Sequence, residues 1–289
     1  MSRDYTENHC WQYDIRIKNL NNDIKASGFS KSYIDALRTK DFEFRIVTDK
    51  EEKRKLTEFI TRHEWLGNIS QMTTHWFAAY HKDQLAGVIL FNLPNAFSKL
   101  LGEETPELER LISRGACISW SPKNLASTFL MWCINWMAKN TQYRLFVAYS
   151  DPEAKEIGTI YQACNFYYLG QASGTTTRYI NPYTGKIVSD RFFRTTSAYK
   201  KYAKELGIVW DKSWNKENGR INISTIPEET MNLLRKVSKE KQQSSQKIEC
   251  LVKHKYAYIM GRNKQDTKVL RKKFLSLNSV YSYPTERGK

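Results

Sequence analysis

With 289 residues, the chain has room for one large domain, or one domain with a sizeable appendage, and is too short for three. Its 40% hydrophobic and 13% aromatic content is that of a globular chain able to bury a core. No stretch approaches the 18 or so apolar residues of a membrane span, and Met1-Ser2-Arg3-Asp4-Tyr5 opens no signal-peptide pattern, so secretion and membrane spanning are excluded as expectations. The five cysteines, Cys10, Cys117, Cys133, Cys164 and Cys250, are odd in number, widely spaced and without a Cys-x-x-Cys pair. They read as reduced thiols of a cytoplasmic protein, not as a disulfide framework or a zinc site. The charge is the strongest global feature: 46 Lys and Arg stand against 30 Asp and Glu, net +16. Such a balance suits a polyanionic partner, nucleic acid foremost, the bland alternative being a soluble protein of a Lys-rich proteome. Residues 211–289 carry 18 of the cations against 8 acids, so +10 of the +16 lies there.

In chain order, residues 1–40 are polar and Asn-rich and read as a loose N-terminal arm, with helical hints at Ser30–Arg38. Alternation over Phe42–Val47 predicts a first strand, and Leu56, Phe59 and Ile60 predict an amphipathic helix over Asp49–His63, capped by Thr48 or Asp49. His75–Tyr80 and Leu85–Phe91 read as a hairpin about a short polar turn, and Leu111–Trp120 as a further strand. After the break Ser121-Pro122-Lys123-Asn124, the helix Leu125–Lys139 has little polar face and is expected to be well buried. Arg144–Tyr149 is a strand, Gly158–Cys164 a short helix, and Phe166–Leu169 begins another strand. Arg178–Ile180 and Lys186–Val188 flank a turn, and Ser197–Leu206 is a helix closed by Gly207. Trp214–Gly219 is linker-like, Lys239–Lys247 is a polar run, Cys250–Met260 mixes apolar and basic residues, and Asn263–Phe274 is a basic helix. These boundaries predict an arm at 1–40, an α/β domain at 41–210 and a basic, mainly helical extension at 211–289.

Two segments carry chemistry. The helix start at Ser121–Thr128 offers free backbone N–H groups and the positive dipole end, which suit a pyrophosphate. Lys123 adds a charge, and Asn124, Ser127 and Thr128 add side-chain donors; the alternative is an ordinary capped helix. Tyr161, on the short helix between two strands, can act as general acid to a leaving thiolate or orient an amine, the alternative being a core tyrosine.

The order strand, polar break, buried helix, strand, short Tyr-bearing helix, strand resembles the GNAT superfamily of N-acetyltransferases. Ile157-Gly158-Thr159-Ile160-Tyr161-Gln162-Ala163-Cys164-Asn165-Phe166 stands where that family carries its Tyr-x-x-x-Gly-Phe-like signature, with Asn165 in place of the usual Gly. A narrower resemblance is to the Mom-type DNA-modification proteins of bacteriophage Mu and related prophages. It is carried by Ser113-Arg114, Pro122-Lys123-Asn124-Leu125-Ala126-Ser127, Ala148-Tyr149-Ser150-Asp151 and the run Gly158–Gly170.

The resemblance implies a GNAT-like mixed sheet flanked by helices and modification of the N6 position of adenine in DNA, which blocks restriction. By position it implies catalytic roles for Arg114 (holding an anionic or carbonyl group), Asp151 (orienting or deprotonating an amine) and Tyr161 (donating a proton). The alternative is an Arg–Asp structural ion pair and a core Tyr. His63, in His63-Glu64-Trp65, stands where the Mom type often has His-Tyr, and is a candidate ligand or base or else a helix-dipole partner. Lys123, Asn124, Ala126, Ser127 and Thr128 are the expected cofactor-binding set, with acyl-CoA (acetyl-CoA) as candidate donor; the donor's identity and any metal are left open. DNA is the expected partner. Lys253, Lys255, Tyr256, Arg262, Lys268, Arg271, Lys272 and Lys273 form the candidate nucleic-acid surface, cations for phosphates and Tyr256 for stacking on a base. Two rivals stand: an acyltransferase acting on another amine, of a modified DNA base, tRNA or a protein, and a non-catalytic nucleic-acid-binding protein.

Overall fold

Asp49 opens the helix Lys50–His63 as its spacing predicts: its carboxylate accepts from Glu52 N at 2.8 Å, filling one of the donors a helix start leaves bare. The structure is a computed structural model and describes residues 10–94, 96–173, 177–185, 187–216 and 219–286. Its N-terminal elements are α1 (Trp11–Ser27), α2 (Lys31–Ala36), β1 (Glu43–Ile46) and α3 (Lys50–His63). From Cys10 onward the predicted loose arm is instead docked. Arg16 donates to the carbonyls of Ser119 and Ser121 at 2.7 and 2.8 Å, and Leu20, Ile24, Phe29 and Tyr33 pack on the core formed by Leu56, Ile60 and Val88. Few apolar residues make that attachment, which is why hydrophobic periodicity does not announce it.

The chain continues through β2 (Thr73–His81), β3 (Gln84–Asn92), β4 (Glu109–Cys117), α4 (Leu125–Asn140), β5 (Leu145–Ser150), α5 (Thr159–Ala163) and β6 (Tyr167–Ser173). Next come β7 (Thr177–Ile180), β8 (Ile187–Val188), α6 (Thr196–Glu205), α7 (Glu228–Ser244), β9 (Lys247–Glu249), β10 (Lys253–Ile259) and α8 (Lys264–Leu277). Seven strands form one mixed sheet in the order β1-β2-β3-β4-β5-β10-β6, in which only β4 and β5 are parallel neighbours. The pleat sends alternate side chains to opposite faces. Phe77, Ile89, Phe91, Phe146, Tyr256 and Tyr258 meet Phe129, Cys133, Ile134 and Met137 of α4 on one face. On the other, Ala78, Val88 and Leu90 meet α3, while Val147, Ala257 and Ile259 meet Phe274 of α8. The mixed sheet with helices on both faces is the expected fold class.

The compact units run differently from the predicted boundaries. Met1–Ser173 and Lys253–Lys289 form one unit, and Gly174–Val252 forms another. The second unit has its own three-stranded sheet, β8-β7-β9, and its own core of Tyr199, Tyr202, Ile226, Met231 and Leu234. Trp214, in the stretch that reads as a linker, is buried in that core, and α7 occupies much of what reads as a polar run. The region after residue 210 has the expected helices but also β10, a strand in the interior of the large sheet. Strand pairing over such sequence distances is set by the tertiary fold and leaves no local mark on composition. All five cysteines are thiols, outside any disulfide.

Candidate active site

The parallel ladder between β4 and β5 is short: it runs from Glu109↔Leu145 to Ile112↔Ala148 and stops. It stops at a bulge. On the other side of β4 the register passes from Leu90↔Arg114 to Phe91↔Ile112, leaving Ser113 as the extra residue. The bulge is pinned, since Ser113 Oγ lies 2.8 Å from Asn92 Oδ1 and 3.0 Å from the Leu90 carbonyl. Beyond it the two strands no longer pair, and the carboxyl ends of parallel strands that part are where sheet proteins commonly bind ligands.

Arg114, the residue after the bulge, spreads its guanidinium over Asn68 O at 2.8 Å, Asn68 Oδ1 at 2.7 Å and Ser113 O at 2.6 Å, with Glu64 Oε2 at 3.9 Å. Burial raises the Glu64 carboxyl above its usual range, and the Arg114 charge opposes the shift. Glu156 Oε1 accepts from Trp65 Nε1 at 3.1 Å, and its Oε2 from Asp151 N at 3.3 Å. Burial, with Glu64 and Asp151 adding their charges, pushes Glu156 up to about 7, although hydrogen bonds from Asp151 N and Trp65 resist. Asp151 is buried, caps a short turn by accepting from Glu153 N at 3.1 Å, and pairs with Lys253 Nζ at 3.0 Å. Tyr161 packs against Phe166 and Tyr256, with ring centroids 5.3 and 5.4 Å away. Burial first, then Glu156 and Glu64, lifts its phenol above the ordinary range, and its hydroxyl makes no hydrogen bond among the described residues.

Arg114, Asp151 and Tyr161 thus converge around Glu64 and Glu156, two carboxyls that sequence reasoning missed, as it missed Trp65. His63-Glu64-Trp65 held the signal, but attention falls on the histidine. The structure puts His63 elsewhere: its ring is buried, with Nε2 3.0 Å from Asp23 Oδ2, Nδ1 3.1 Å from Phe59 O and Phe59 stacked on its face. Both nitrogens are committed, so its place is that of a tie between α3 and α1. That tie serves the site. Gln12 of α1 donates to His63 O at 2.6 Å and accepts from Trp65 N at 3.2 Å, while Trp11 meets Trp65 edge to face at 5.2 Å.

The helix start leaves part of its first turn uncapped. Asn124 sits in the left-handed region (φ 68°) with no side-chain cap bond, Leu125 N reaches Pro122 O at 3.3 Å and Thr128 N reaches Asn124 O at 3.0 Å. The N–H groups of Ala126 and Ser127 have no acceptor among the described residues. Exposed Lys123 stands beside them, and donors grouped in this way could hold an anionic group. Ser127 Oγ is 3.1 Å from Asn124 O, and Cys164 Sγ is 3.7 Å from Ser127 O, which links this first turn to the end of α5. Asn165 follows with φ 57°, a conformation glycine adopts freely and asparagine tolerates best among other residues, so its replacement of the expected Gly keeps the turn. Among the described residues no group of three or more His, Cys, Asp or Glu could hold a metal ion.

The expected nucleic-acid set divides. Tyr256 is fully buried in the core, its hydroxyl donating to Ile157 O at 2.6 Å, so it cannot stack on a base. Gly158 answers to it, because a Cβ there would lie 2.5 Å from the Tyr256 ring. Lys253 belongs to the Asp151 pair, and Lys255 is half-buried, its ammonium weakened by burial and supported by Glu109. Lys273 pairs with Glu104. Arg262, Lys268, Arg271 and Lys272 instead line a groove of about 730 Å³.

No curated protein matches the chain. Several solved structures are similar to it at low identity, among them the following three. A GNAT family acetyltransferase from Elizabethkingia anophelis with acetyl-CoA bound has TM-score 0.34 and 11% identity over 76% of this chain and 99% of that one. An N-acetyltransferase from Staphylococcus aureus Mu50 has TM-score 0.32 and 14% identity over 48% and 86%. FeeM, an N-acyl amino acid synthase from uncultured soil microbes, has TM-score 0.33 and 15% identity over 45% and 80%. The Mom protein family model matches residues 42–284, most of the chain, and the chain belongs to that family.

Proposed function

We propose that the chain is a DNA base-modifying transferase of the Mom type, moving a group from a small donor to the exocyclic N6 amine of adenine. The observation that carries this reading is that a carboxyl poised near neutrality, Glu156, lies within electrostatic reach of the Tyr161 hydroxyl, which makes no hydrogen bond among the described residues, while the α4 start leaves two N–H groups without an acceptor there. Acyl transfer to an amine needs one group to take a proton and another to give one. An adenine amine is a weak nucleophile, so the proton leaves as its nitrogen attacks the donor's carbonyl carbon. Ionised Glu156 accepts that proton while the new C–N bond forms. With a thioester donor the C–S bond breaks, and Tyr161 supplies the proton to the departing sulfur. Proton exchange with solvent then resets both groups. Ala126, Ser127 and Lys123 would hold the phosphates of an acyl-CoA, which supplies the activated carbonyl. Arg114 lies at the bulge, where it can hold the carbonyl oxygen.

An amine inside a duplex must leave the stack to be reached. Half-buried Trp65, with Trp11 against its edge, offers an aromatic wall beside Glu156 for a base so displaced.

The test is mass spectrometry of nucleosides from DNA of cells expressing the chain. A modified adenine is expected, and Tyr161→Phe should lower its yield about a hundredfold or more while the protein melts as before, since the lost hydroxyl holds nothing together. Unmodified adenine in cells holding abundant folded protein would sink the reading. Label passing from a labelled donor to tRNA or protein would move the acceptor elsewhere.

A further inference from the structure

The groove beside α8 stands apart from the candidate active site. Met260 N donates to Arg144 O at 3.0 Å, at the start of β5, whereas Asp151 follows the end of that strand. At about 3.3 Å per residue the two ends of β5 are separated by roughly 20 Å. Five cations, Arg262, Lys264, Lys268, Arg271 and Lys272, line the groove over an apolar floor that includes Met260 and Leu275. None of its lining residues is acidic. Asp266, on the same helix, is already engaged: its Oδ2 accepts from Arg262 N at 2.8 Å and lies 3.9 Å from Arg144 Nε. Arg271 is held in place by Ile259 O at 3.3 Å and by the Tyr258 ring at 5.5 Å. Lys264, Lys268 and Lys272 recur every fourth residue and so stand in one row, about 6 Å apart along the helix. Neighbouring phosphates of one duplex strand, rising about 3.4 Å per step while turning about the axis, lie roughly 7 Å apart, a spacing close to that of the row.

We infer that this groove is a second DNA contact, which grips the phosphate backbone of a duplex about six base pairs from the nucleotide being modified. The choice of DNA rests on the function proposed above; the groove's fit to a regular polyanion rests on its own charges and spacing. Its role is positioning: it touches no reacting atom, sets register along the duplex and carries no sequence information.

Binding of a fluorescent 20-base-pair duplex, followed by anisotropy across a salt series without any donor, tests this. Arg262→Ala, Lys268→Ala and Lys272→Ala combined should reduce the slope of log affinity against log salt by about 2 to 3, since each phosphate contact contributes about 0.9, and weaken binding at least tenfold at low salt. A control with Lys25→Ala, Lys31→Ala and Lys40→Ala, three exposed lysines distant in sequence from the groove, should retain the slope. All six substituted side chains are exposed, and far-ultraviolet circular dichroism should show both variants folded. An unchanged slope in the groove variant, or an equal loss in the control, would overturn the inference, as would tighter binding of duplex RNA of the same sequence. Duplex binding through the groove with adenine left unmodified in cells would defeat the proposed activity and leave the groove standing.

Discussion

Glu156 keeps a proton that an exposed glutamate would release, and this has consequences for both rate and stability. Its folded value is about 7 against an ordinary 4.5. Between those two values the folded chain binds more protons than the unfolded chain, so this group's contribution to stability falls as pH rises from about 4.5 to about 7 and is level above. Glu156→Gln, which carries no charge to bury, should therefore raise the melting temperature relative to wild type more at pH 8 than at pH 4.5. Thermal melts at the two values check this, and an equal shift at both would show that burial does not hold the proton. If Glu156 is the proton acceptor, wild-type modification rates should fall about tenfold per unit as pH drops below about 7. Glu156→Gln should remove that limb along with most of the rate.

Elements were legible in the sequence where their pattern is local. The β2–β3 hairpin, α3, α4 and α5 lie within a few residues of where alternation, helical spacing and turn residues put them. Three features escaped for physical reasons. β10 presents Tyr256 and Tyr258 to one core and Lys253 and Lys255 to the opposite face, so its pleat reads as a basic and aromatic mixture. α1 is fixed through Arg16, Gln12 and Asp23, contacts without a period. Trp65 and Glu156 are 91 residues apart and meet only in the tertiary fold. A family motif singles out Arg114, Asp151 and Tyr161 as candidates, while it passes over Glu64 and Glu156. At the same scale, the turn after α5 depends on the left-handed backbone of Asn165. Asn165→Gly should be near neutral, whereas Asn165→Val should cost about 1–2 kcal/mol in urea melts, because a branched side chain is strained there. Equal stability of the two variants would refute that account of the turn.

At the scale of the molecule, the chain leaves the large sheet at Ser173 and re-enters it at Lys253, and these two residues are partners in one antiparallel ladder. Their backbones are about 5 Å apart, a span two residues can bridge. Replacing residues 174–252 by Asn-Gly should leave the seven-stranded sheet assembled, with the circular dichroism and cooperative melt of a folded α/β protein. A molten, dye-binding product would show instead that the sheet needs its insertion.

The same coincidence of exit and entry reaches past this one chain. A segment whose two ends meet can be gained, enlarged or discarded by a single recombination event without displacing any strand beside it. The stretch between β6 and β10 is therefore a place where descendants of this gene can differ in length, while the strands that carry Arg114 and Lys253, and the one that ends just before Asp151, keep their register.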